Sequence, residues 1–183
     1  MNAFDNVVDR AVKRVAPDTA RVERHFDATA ERLWDYLVEA DKRRLWFSGG
    51  DTISGAGDRT KLVFDHSVFA DEPTPERFSQ MDEGGISFEV EVTTFEPPHR
   101  LAFTWPEGEH ISEVTIDLVP QDRGVRLVLT HSRLRDAAQM ANVASGWHAH
   151  LDVLDDLLAG RSSRGFWTNA LRLEQDYSRA FGA

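Results

Sequence analysis

Residues 136–158 read DAAQMANVASGWHAHLDVLDDLL, and this stretch decides the fold. At 100° per residue, Met140, Val143, Trp147, Leu151, Leu154 and Leu158 fall on one apolar stripe about 80° wide. Gly160 follows as a natural C-cap. A long helix with so broad an apolar face must lay that face against a second layer.

The sequence before it supplies the layer. Ile86, Phe88, Val90 and Val92 alternate with Ser87, Glu89, Glu91 and Thr93, the pattern of a half-buried strand. After the Pro97-Pro98 turn, Leu101, Phe103 and Trp105 share one parity. Residues 106–109, PEGE, turn the chain into Val114, Ile116 and Leu118. Residues 121–124, QDRG, turn it again into Val125, Leu127 and Leu129, with His131 in phase. Consecutive strands joined by short turns predict an antiparallel meander. Leu62 with Phe64, and Val22 with Arg24 and Phe26, add earlier strands. Between them, Thr29 is placed to cap a helix carrying Leu33, Trp34, Leu37 and Val38. Asp41 opens a second short helix through Phe47 that stops at Ser48-Gly49-Gly50. Residues 67–85 read as a long connection. The class is α+β: a curved antiparallel sheet of six or seven strands around the long C-terminal helix.

Outside that domain, placed at residues 20–160, lie two flanking pieces. Residues 1–19 read as an N-terminal arm, a short helix or loose chain. Residues 161–183 read as an amphipathic helical extension, because Phe166, Ala170, Leu173, Tyr177 and Phe181 recur at helical spacing. Such a stripe is expected to pack on its own domain, the alternative being a symmetric pairing. The state expected is therefore monomer or homodimer.

Bulk composition narrows the function. The 183 residues are 41% hydrophobic and 28% charged, an ordinary globular mixture for one domain. A net charge of −10 argues against nucleic acid and anionic membrane as partners, since both need a basic footprint. With no cysteine, disulfides, thiolate catalysis and cysteine-held zinc are excluded. The N-terminus has no apolar run of signal-peptide length, and nothing approaches the roughly 20 apolar residues of a membrane span. A cytoplasmic location is expected.

Four stretches resemble a known family. They are TAERLWDYLVEADKRRLWF at 29–47, PPHRLAFTW at 97–105, LTHS at 129–132, and GWHAHL at 146–151 followed by Leu154 and Leu158. Together they resemble the START-like (SRPBCC) superfamily, in the branch named after activators of the ninety-kilodalton heat-shock chaperone's ATPase. The resemblance covers residues 20–160 and implies the helix-grip fold. It also implies binding of a small hydrophobic ligand in an internal cavity, as relatives hold lipids, sterols or hormones. A polyketide cyclase or hydrolase acting on such a ligand is the alternative. Chaperone-ATPase co-regulation is the least expected role, because the Asn- and Trp-rich N-terminal motif of full activators is not seen in this sequence.

The expected cavity lies between helix and sheet. Phe64, Phe88, Phe103 and Trp105 face Trp147, Leu151 and Leu154 across it, with Trp46 and Phe47 at its mouth. Pockets of this kind are mostly apolar with a few placed polar groups. Arg24, His66, His110, Ser112 and His131 are in phase with the inward faces, and His150 sits at the edge of the helix stripe. His131 and His150 are the ligand-binding candidates among them. His148 is expected to face solvent. No metal site is expected, because the histidines lie on separate elements without a ligand spacing. No cofactor is expected, since no phosphate-binding glycine loop appears. No Asp or Glu falls in phase with the inward faces, so binding is expected rather than acid–base catalysis.

Overall fold

In the computed structural model, residues 10–82 and 84–183 are described. Eight strands form one antiparallel sheet in the order β1-β2-β8-β7-β6-β5-β4-β3. They are β1 (Lys13–Ala16), β2 (Thr19–Phe26), β3 (Gly49–Gly50), β4 (Arg59–Phe64), β5 (Ile86–Glu96), β6 (Arg100–Glu107), β7 (His110–Pro120) and β8 (Val125–Ser132). The helices are α1 (Ala30–Val38), α2 (Ala40–Arg43), α3 (Ala137–Leu158) and α4 (Phe166–Phe181). Two 3₁₀ turns, at His66–Val68 and Glu76–Met81, punctuate the connection from β4 to β5.

The meander arises as its parity demands. Leu101 pairs with Ile116 and Phe103 with Val114 across β6 and β7; Val114 pairs with His131 and Ile116 with Leu129 across β7 and β8. All of these are buried, so one sheet face is closed by α3 and the other carries Glu89, Glu91 and Glu113. The sheet has eight strands rather than six or seven. The additions are the two-residue β3 and the edge strand β1, which pairs with β2 where a helix or loose arm was expected. β1 lacks apolar alternation because it is an edge, with Lys13, Arg14 and Val15 exposed. The expected arm therefore belongs in part to the sheet; its residues 1–9 lie outside the described residues.

The helix ends follow their caps. Asp136 accepts from the Gln139 amide at 2.8 Å, and Thr29 from that of Arg32 at 3.2 Å. α3 closes in a Schellman turn: Arg161 N–H reaches the Asp156 carbonyl, Gly160 N–H reaches that of Leu157, and Gly160 takes φ +64°. From there Arg161 and Arg164 return to Asp155 and Asp156, with Arg164 gripping Asp156 through Nε at 2.8 Å and Nη2 at 2.6 Å. This clasp reverses the chain, so α4 lies along α3 with Phe166, Trp167, Leu173 and Tyr177 buried. The C-terminal stripe thus packs in cis.

Candidate functional site

A cavity of about 190 Å³ lies between the N-terminal half of α3, the sheet and α4. On α3 part of the wall is a glycine. Gly146 lines the space, and a Cβ placed there meets no atom within 4 Å. A mid-helix glycine costs about 1 kcal/mol relative to alanine, a cost that here leaves room.

Aromatic rings make most of the wall. Phe47 stacks on Trp147 with centroids 4.8 Å apart and meets Phe64 edge-on at 5.1 Å. Phe64 stacks on Phe88 at 5.3 Å, and Trp105 meets Phe88 edge-on at 5.0 Å. α4 contributes Phe166, Trp167, Ala170, Leu171 and Glu174, and the β4–β5 connection contributes Phe78 and Met81. These two elements are tied across the opening. Glu72 accepts from the Thr168 amide at 3.0 Å, and Arg77 pairs with Glu174. The cover of the cavity is therefore α4 and this connection together.

Three sets of polar contacts punctuate the wall. Trp147 donates its indole N–H to His131 Nδ1 at 3.1 Å. That Nδ1 must be bare, so the proton sits on Nε2, which donates to Ser112 Oγ at 2.8 Å. Ser112 in turn donates to the Trp105 carbonyl at 3.2 Å. Every group of this chain is satisfied. His150 donates from Nδ1 to the Trp46 carbonyl at 2.7 Å, and its Nε2 lies 3.3 Å from His66 Nε2. Glu107 accepts from Arg135 at 3.0 Å and from Gln139. Burial pushes His66 and His131 down to about 4 and His150 to about 3, so all three are neutral at pH 7.

Of the residues expected from sequence, Phe64, Phe88, Trp105, His131, Trp147 and His150 line this cavity. Leu151 and Leu154 do not; both are fully buried in the packed core below it. Phe103 and Trp46 border only a far smaller space of about 10 Å³. Trp46 is not at the mouth either: it is 1% exposed, bonded to the Tyr36 carbonyl at 2.9 Å, and its own carbonyl holds His150. Phe47 is part of the wall rather than the entrance. Arg24 lies away from the cavity, beside Asp152 and bonded to the Arg10 carbonyl. His110 bonds the Arg133 carbonyl at 2.7 Å instead of facing inward chemistry. His148 is not solvent-facing, because Tyr177 of α4 covers it with a 2.7 Å hydrogen bond.

One acid escaped the parity count. β6 runs on through Glu107, in step with Leu101, Phe103 and Trp105, so Glu107 reaches the cavity. Phe166 was legible as part of the α4 stripe, but neither it nor Trp167 was legible as cavity wall. No cluster of metal-ligating residues occurs among the described residues. No described helix is long and apolar enough to cross a membrane.

An antiparallel sheet closed by one long helix near the C-terminus defines a helix-grip protein of the START-like class. The chain belongs to the family described as Activator of Hsp90 ATPase homolog 1-like protein, whose model matches residues 27–159. It is similar to a Bordetella parapertussis protein solved in solution by NMR, at 42% identity and TM-score 0.79, over 91% of this chain and 87% of that one. CalU16 from Micromonospora echinospora shares the fold at 22% identity and TM-score 0.63, over 90% and 89% of the two chains. DynU16, from the dynemicin biosynthetic locus, shares it at 22% identity and TM-score 0.64, over 81% of this chain and 50% of that one. A comparison with curated proteins gave no match.

Proposed function

We propose that this protein binds a small, largely apolar molecule in the cavity beside Gly146. The observation that carries the reading is the space itself. Protein interiors are close-packed, yet here about 190 Å³ lies beside Gly146 with mostly aromatic walls. Membership of a family whose fold is associated with small hydrophobic ligands supports the same reading. Catalysis on the ligand is less well supported. A general base works best with a pKa near the working pH, whereas His66, His131 and His150 are depressed to about 4 or below. Both nitrogens of His131 are also already engaged.

The test is native mass spectrometry on protein purified from its expressing cells, with a hydrophobic fluorescent probe titrated in parallel. The reading expects a retained small molecule or probe binding at roughly micromolar Kd, about −8 kcal/mol. A chain that carries nothing and binds no probe contradicts it.

A further inference from the structure

The hydrogen-bond pattern of the cavity wall identifies a feature of the ligand. The Trp46 carbonyl can only accept, so His150 carries its proton on Nδ1. In the neutral ring Nε2 is then a bare acceptor. His66 Nε2, 3.3 Å away, must be the donor between them. That fixes the tautomer of His66 and leaves its Nδ1 as a lone pair. Nδ1 is buried without a partner among the described residues, in a side chain only 3% exposed. The indole N–H of Trp167 is also buried and partnerless among them. The two rings lie 5.2 Å apart between centroids, and both line the cavity.

Buried polar atoms are seldom left unpaired. Here one acceptor and one donor are left unpaired on adjacent rings that both line the same space. A single hydroxyl satisfies both, donating through its hydrogen and accepting through its oxygen. A carboxylate offers no donor, an ammonium no acceptor, and a ketone no donor. The described lining residues include no Arg or Lys, while Glu107 and Glu174 are among them and already occupy Arg135 and Arg77, so an anionic ligand meets no free countercharge there. We propose that the cavity selects neutral apolar molecules bearing a hydroxyl, a phenol or an alcohol, whose oxygen docks between His66 Nδ1 and Trp167 Nε1. This rests on the cavity being a binding site.

The test compares 1-naphthol, naphthalene and 1-naphthoate by equilibrium dialysis at neutral pH. Wild-type protein is expected to bind naphthol about tenfold more tightly than naphthalene, and naphthoate most weakly. Trp167→Phe removes the donor and His66→Phe the acceptor, each keeping a ring in place. In both, the ratio of naphthol to naphthalene affinity is expected to shrink to about twofold or less, whatever the change in naphthalene binding itself. Equal binding of naphthol and naphthalene by the wild type overturns the hydroxyl assignment and leaves the cavity reading intact. An advantage that survives in both variants also overturns it. If none of the three binds, the cavity reading itself fails, and the assignment with it.

Discussion

The indole N–H of Trp147 on α3 donates to Nδ1 of His131 on β8 at 3.1 Å, a bond that joins the helix to the concave face of the sheet. It also fixes the His131 tautomer that Ser112 receives. Trp147→Phe keeps the ring but orphans a buried acceptor, and is expected to cost about 1–3 kcal/mol in urea unfolding. A double-mutant cycle with His131→Leu should show a coupling of about 1 kcal/mol. Strict additivity would mean that the bond contributes nothing.

Acid should unfold the protein unusually early. His66, His131 and His148 are held at about 4 and His150 at about 3, with burial the leading cause in each. These folded values lie below the unfolded value of about 6.5. The stabilisation from neutral imidazoles is thus complete above pH 6.5 and is lost as pH falls towards 4, where only the unfolded chain takes up protons. Stability should drop by on the order of several kcal/mol across that window. A melting temperature that stays level from pH 7 to 4.5 would contradict the neutral buried histidines.

Truncation after Gly160 removes α4. Its buried face, Phe166, Trp167, Leu173 and Tyr177, lies against α3 of the same chain, and Tyr177 also accepts from the Val12 amide at 2.7 Å. The truncated protein should stay in the same oligomeric class by sedimentation, melt at lower temperature and lose probe binding. A dimer that becomes a monomer on truncation would show α4 pairing between chains instead.

Leu154→Trp separates core from cavity. Leu154 is fully buried and lines neither space. The larger ring should destabilise by about 1–3 kcal/mol through overpacking while the probe still binds the folded fraction. Loss of binding without loss of stability would place the site deeper along α3 than the Gly146 wall.

The fold was legible because period-two and helical patterns both ran long. β5 and β7 each bury one parity, β6 and β8 add only Ala102 and Val128 from the other, and α3 differs from its sequence reading by one residue, with Asp136 serving as its cap. β1 was not legible, because an edge strand with both faces wet needs no apolar alternation. The site was half legible. Parity identifies which side chains face inward, as it did for Phe64, Phe88, Trp105 and Trp147. It does not say where along α3 the packing stops. That depends on volume: Leu151 and Leu154 fill their space, whereas Gly146 leaves its own open. Gly146 falls about 100° round the helix from Trp147, outside the apolar stripe, so helical periodicity did not mark it as wall. His148 was misplaced because its covering, Tyr177, lies 29 residues further on.

The central claim is that the space beside Gly146 is the binding site, and Gly146→Leu tests it most directly. The new side chain enters open space, and replacing a mid-helix glycine should add roughly 1 kcal/mol of helix stability. The account predicts a melting temperature equal to or above wild type, together with a loss of hydrophobic-probe affinity of tenfold or more, about 1.4 kcal/mol. A well-folded Gly146→Leu protein that binds the probe as tightly as wild type would place the probe elsewhere and contradict the account.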